Sequence, residues 1–92
     1  MPYEKYLRFG GEALTESELL AIILRTGTKE RSALEIAEEI LSISETPRTG
    51  LLGLYDVPLE RLMQIHGLGM VKAVKIKCIA ELAMRINSTS AK

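Results

Sequence analysis

Two glycines one residue apart, Gly67 and Gly69, end an apolar run, and lysines follow at positions 72 and 75. The stretch Leu62-Met63-Gln64-Ile65-His66-Gly67-Leu68-Gly69-Met70-Val71-Lys72-Ala73-Val74-Lys75-Ile76 predicts a helix, a tight hairpin and a second helix. The chemistry such a shape offers is anion binding through the backbone. Glycines admit positive φ and close approach, while Leu68 between them can turn inward and pin the turn. The amides of Gly67 and Gly69 and the first free N–H groups of the next helix, from Met70 to Lys72, then point outward. A helix N-terminus carries unpaired donors and about half a positive charge, so a phosphate suits it.

The angular positions of the lysines sharpen this expectation. At 100° per residue, Lys72 and Lys75 share a sector with Ile79, Leu82 and Ile86, so an apolar seam begins with two charges. Lys77, Glu81 and Arg85 fall at i, i+4, i+8 on the other side and read as an ordinary solvated stripe.

The stretch from Leu62 to Ile76 resembles the helix-hairpin-helix motif. The resemblance implies non-sequence-specific DNA binding, with a backbone phosphate held by His66, Gly67, Leu68, Gly69, Met70, Val71, Lys72 and Lys75. His66 departs from the motif, which often carries proline or a basic residue there. Nothing in the sequence suggests a side-chain array for base readout in the major groove. Contact with two to four phosphates would be weak and salt-dependent, with a slope of roughly −2 to −4 in log K against log salt.

With 92 residues, the chain has the length of one domain. A hydrophobic fraction of 47% with 4% aromatics and no Trp fits a core packed from Leu, Ile and Ala. No apolar run is long enough to span a membrane and no secretory start is visible. The single Cys78 cannot form an internal disulfide and reads as a buried thiol in a reducing cytoplasm. Formal net charge is zero, yet the halves differ. From residue 61 onward, six Lys/Arg face only Glu81, a balance of +5, and the first sixty residues carry −5. The positive end surrounds the hairpin, which is the footprint expected of a weak phosphate-directed contact and also of an ordinary solvated face.

Elements that would position the hairpin follow in chain order. Pro2 to Phe9 predicts a short helix stopped by Gly10-Gly11, with Tyr3, Tyr6 and Phe9 on one face. Thr15-Glu16-Ser17-Glu18 is a capping box opening a helix over 16–25, apolar all round and expected to be the most buried. Arg25-Thr26-Gly27-Thr28 stops it. A second box, Ser32 to Glu35, starts a helix to about Ile43, with Glu35, Glu38, Glu39 and Ser42 on its wet side. Thr46 to Gly50 is a loop, Leu51 to Tyr55 a short helical turn, and Asp56-Val57-Pro58 a cap for Leu59 to Gln64. The last helix runs from about Met70 to Ile86 or Asn87, and residues 88–92 form a polar tail expected to fray.

Residues 16–43 and 58–87 therefore share a plan of helix, glycine-containing turn and helix. The expected fold is all-α: a compact bundle of five to six helices over residues 1–87, a pseudo-duplicated helix-hairpin-helix (SAM/RuvA-C-like) with a degenerate first hairpin. That first turn has one glycine and carries Glu30, leaving Lys29 and Arg31 as candidate outer contacts.

The run from Gly11 to Thr28 resembles the N-terminal region of bacterial RadC-like proteins, and the hairpin follows at the distance expected there. What the resemblance implies is a bacterial cytoplasmic protein linked by name to DNA repair. It also implies a larger C-terminal domain of JAMM/MPN metallopeptidase type, whose His-x-His pair and downstream Asp do not occur here. The chain itself offers no metal constellation, since His66 is its lone imidazole, and no activated-nucleophile motif. No enzyme activity, cofactor, metal or small-molecule substrate is expected of it. Two functions remain: a DNA-phosphate-binding module, or an interaction or positioning domain for a protein partner or that C-terminal domain, presenting the Glu35, Glu38, Glu39 face and the aromatic N-terminus.

Overall fold

The computed structural model describes residues 2–25, 31–44 and 50–90. Six α-helices occur among them: α1 (Pro2–Phe9), α2 (Glu16–Leu24), α3 (Ala33–Ser42), α4 (Gly50–Leu54), α5 (Leu59–Met63) and α6 (Met70–Ser90). A 3-10 turn at Gly11–Ala13 links α1 to α2, and no strand occurs among the described residues. The protein is all-α. Two helical hairpins, α2 with α3 and α5 with α6, are joined through α4, which packs on both α3 and α6. Thr26 to Glu30 and Glu45 to Thr49, where the first turn and a loop are expected, lie outside the described residues.

Local chemistry explains the boundaries. Gly10 takes φ +85 after α1. Both expected capping boxes form. Thr15 Oγ1 accepts the Glu18 N–H at 3.2 Å while Glu18 Oε1 accepts the Thr15 N–H at 2.9 Å, and Ser32 and Glu35 repeat the exchange at 3.1 Å each way. The backbone bond from Thr15 holds the Glu18 carboxyl below its ordinary range, and that from Ser32 does the same for Glu35. Glu18 also pairs with Lys5 at 3.2 Å, fastening α1 to α2. Arg25 ends α2 in a left-handed conformation, φ +45, normally a glycine's role. Gly50, expected in a loop, is the first residue of α4. Its φ is +60 and a Cβ there would lie 2.5 Å from Glu16 Oε1, which also accepts the Leu51 N–H at 3.4 Å. At α5 the N-cap is Pro58, with no side-chain capping bond, so the expected cap is steric rather than polar. The last helix outruns its expected end: residues 88–90 continue α6, and the Thr89 hydroxyl donates to the Arg85 carbonyl at 3.0 Å.

The core is one cluster that includes Leu20, Leu24, Ile36, Ile40, Leu54, Leu62 and Ile76, all essentially inaccessible. Helix α2 buries Leu20, Ala21 and Leu24, but Ile23 is 53% exposed, so a helix apolar all round is buried on one side only. The larger correction concerns α6. Its buried seam is Ala73, Ile76 and Ala80, whereas Leu82 and Ile86, assigned to the seam with Lys72 and Lys75, are exposed. Cys78 is exposed too, not a buried thiol.

That rotation gives Lys77 a role the sequence reading denied it. Its ammonium donates to the carbonyls of Leu54 at 3.0 Å, Tyr55 at 2.9 Å and Val57 at 2.6 Å, using all three donors on the carbonyl-rich end of α4. Glu81 and Arg85 do form the expected exposed pair, 3.0 Å apart. Charge-assisted bonds of this kind stabilise by more than exposed ion pairs. Lys77→Met is expected to lower unfolding free energy in urea by roughly 2 kcal/mol, and Arg85→Ala by less than about 0.5 kcal/mol.

Candidate nucleic-acid interface

The hairpin between α5 and α6 forms as its residue types require. The Gln64 N–H is taken by the end of α5, the Leu68 N–H reaches the Ile65 carbonyl at 3.1 Å, and Gly67 sits at φ +92. Leu68 is buried at 5% exposure and pins the turn from inside, so it serves as anchor, with its amide spent within the hairpin. The Gly69 carbonyl accepts the Ala73 N–H at 2.9 Å and opens α6. Gly69 is exposed, has no positive φ, and a Cβ placed on it would meet nothing within 4 Å.

The start of α6 differs from those of α2 and α3 in chemistry. Gly69 has no side chain with which to cap, and the third helical position, a glutamate in both capping boxes, is Lys72. Helix geometry leaves the N–H groups of Met70, Val71 and Lys72 without intrahelical acceptors. Met70 and Val71 are 60% and 68% exposed, so this end faces solvent. His66 and Lys75 are exposed beside it.

Two expected contacts are placed differently. Lys72 is half-buried, and its ammonium donates to the Leu24 carbonyl at the end of α2, 2.5 Å away. Arg31 donates to the His66 carbonyl at 3.2 Å and pairs with Glu39 at 2.6 Å. Each hairpin thus sends a cation to a carbonyl of the other. The two residues brace the hairpins together, and Lys75 is the lysine left facing solvent. Lys29 lies outside the described residues. The bracing was legible in principle: at 100° per residue, Lys72 and Lys77 flank the seam of Ala73, Ile76 and Ala80 on either side, where long amphipathic side chains reach past a core.

Among the described residues no three His, Cys, Asp or Glu side chains gather as a metal site, and no helix is long and apolar enough to cross a membrane. The described geometry defines a class: an all-helical domain of paired hairpins, one of which opens a helix N-terminus to solvent. Residues 1–74 match the family model described as UPF0758 N-terminal. The chain belongs to this family, which is the RadC-like family. It is 47% identical over 89 residues to a UPF0758 protein of Alkaliphilus oremlandii, covering 97% of this chain and 37% of that one. With a UPF0758 protein of Alkaliphilus metalliredigens the identity is 49% over the same share of each. A relative from Streptococcus pyogenes serotype M49 is 42% identical, again over 97% of this chain and 38% of its own length. The chain therefore spans little more than a third of these relatives. No solved structure matches it.

The two glycines should respond differently to substitution. Gly67→Ala forces an L residue to positive φ and is expected to cost about 1–2 kcal/mol in urea unfolding. Gly69→Ala, with ordinary φ and open space, is expected to stay within about 0.5 kcal/mol of the parent.

Proposed function

We propose that this domain binds DNA without sequence preference by holding a backbone phosphate at the start of α6. The observation that carries the reading is the contrast between helix starts. Glu18 and Glu35 seal α2 and α3 from within, and the glutamate of each box would repel an anion. At α6, a glycine turn presents open amides at Gly69, Met70, Val71 and Lys72, with no carboxylate on its first turn. Lys75 adds a solvent-facing charge one turn along, and His66 a polar edge. Gly67 supplies the turn, Leu68 its anchor, and Lys72 contributes its amide while its ammonium braces the hairpin. The first hairpin is structural in this reading, its helix start already occupied by Ser32 and Glu35.

A second reading has an observation of its own. Beyond Ala80, α6 carries Leu82 and Ile86 at 59% and 66% exposure, and a shallow groove of about 570 Å³ lies along Leu59, Val74, Cys78 and Leu82. Since the relatives are far longer than this chain, that face suits a positioning contact with a following domain. The JAMM/MPN-type domain implied by the resemblance would be its occupant. The first reading uses the start of α6 and the second the stretch of the helix around and beyond Cys78, so the two are compatible.

The DNA reading is tested by NMR titration of the labelled protein with a short duplex at two salt concentrations. Amide shifts centred on Gly69 to Lys75, weakened by added salt with a slope of roughly −2 and lost in Lys75→Glu, are the expected result. A well-dispersed spectrum with no shifts in that segment would overturn it.

A further inference from the structure

Residues 67–71, which lead into the open end of α6, are held on both sides by the first hairpin. On one side Arg31, just before the N-cap of α3, donates from Nη1 to the His66 carbonyl at 3.2 Å. On the other, the Lys72 ammonium donates to the carbonyl of Leu24, the last residue of α2. Leu68, buried between these two points, is a third anchor. Glu39 of α3 lies 2.6 Å from the same Arg31 Nη1, so one nitrogen of a rigid planar fork bridges a carboxylate and a carbonyl. With side-chain exposures of 22% and 39%, the Arg31–Glu39 pair adds little to global stability. Its local consequence is larger. The His66 carbonyl belongs to the planar peptide unit that leads into Gly67, so holding it restrains the turn at φ +92, and glycine is the residue freest to leave such a turn.

Resting on the phosphate reading above, we propose that Arg31 and Glu39 are positioning residues for the anion site. They touch no ligand; they hold the glycine turn in the shape that aims the amides at the start of α6. The first hairpin thereby supplies preorganisation and the second supplies the contact. This assigns Arg31 a role other than the outer contact expected of it, because its guanidinium is spent between Glu39 and His66. Preorganisation raises affinity by removing an ordering cost from the binding step. Ordering one backbone residue costs about as much as a tenfold change in affinity, which sets the size of the effect. A residue that contacts a phosphate also releases a counterion and steepens the salt dependence, whereas one that only positions leaves it unchanged.

The test measures affinity for a short labelled duplex by fluorescence anisotropy across a salt series, on the parent protein, Arg31→Met and Glu39→Gln. Arg31→Met is expected to bind about tenfold more weakly with an unchanged slope of log K against log salt. Glu39→Gln is expected to weaken binding too, although it makes the protein more positive and bulk electrostatics alone would tighten it. Parent-like affinity in both variants, tighter binding by Glu39→Gln, or a slope smaller by about 1 in Arg31→Met would overturn the proposal, the last because Arg31 would then touch a phosphate itself. Hydrogen exchange gives a readout without DNA. The Leu68 N–H, bonded to the Ile65 carbonyl at 3.1 Å, should exchange faster in Arg31→Met while the Ile76 amide within α6 keeps its protection, which also reports that the variant is folded. Unchanged protection at Leu68 would overturn the positioning role and leave the phosphate reading standing; failure of the parent itself to bind would overturn both.

Discussion

The architecture depends on two ammonium groups of α6 that reach past its buried seam to the carbonyl ends of other helices. Lys72 meets the end of α2 at Leu24, and Lys77 meets Leu54, Tyr55 and Val57 at the end of α4. Helix C-termini carry unsatisfied carbonyls and partial negative charge, so a lysine is a fitting cap where glycine-based caps alone leave acceptors over. Five residues apart, the two lysines straddle Ala73, Ile76 and Ala80, whose small or branched side chains let the other helices close on α6. The same helix thereby supplies core, clamps and the open end on which the functional reading turns.

This arrangement separates two jobs that sequence position runs together. Four lysines or arginines between residues 70 and 85 look like a basic surface, but two are spent on carbonyls and Arg85 on Glu81. Lys75 is what remains for a ligand on that segment, supported by backbone amides rather than by a cluster of charges. In the proposed reading such a site would grip weakly and without regard to base sequence. The formal neutrality of the chain is then no obstacle, because the donors that matter are the dipoles of one helix start.

Much of the fold could be read from the sequence, for identifiable reasons. Capping boxes at Thr15 and Ser32 are short-range devices, so the starts of α2 and α3 fell where they were expected. The span of α1 and the glycine hairpin are likewise set by local backbone chemistry. What failed was angular. An apolar count along α6 finds two candidate stripes, since Ile79, Leu82 and Ile86 are as hydrophobic as Ala73, Ile76 and Ala80, and periodicity cannot say which stripe meets α4 and α5. The stripe through Ile79, Leu82 and Ile86 leaves Lys77 solvated and Lys72 free, whereas the buried one draws both to carbonyls; Cys78, expected buried because it is a lone thiol, is exposed. The continuation of α6 through Ser90 was also missed, because Ser and Thr are weak helix formers whose hydroxyls can instead bond back to the preceding turn, as Thr89 does.

The central claim is that the start of α6 is left uncapped in order to hold an anion, and one substitution addresses it directly. Gly69→Asp has room for its side chain, places a preferred capping residue at the helix start and occupies the amides with its own carboxylate. Thermal unfolding and DNA anisotropy should be measured on this variant together. The account predicts equal or higher stability with loss of DNA binding. Binding that survives with the fold intact would contradict it.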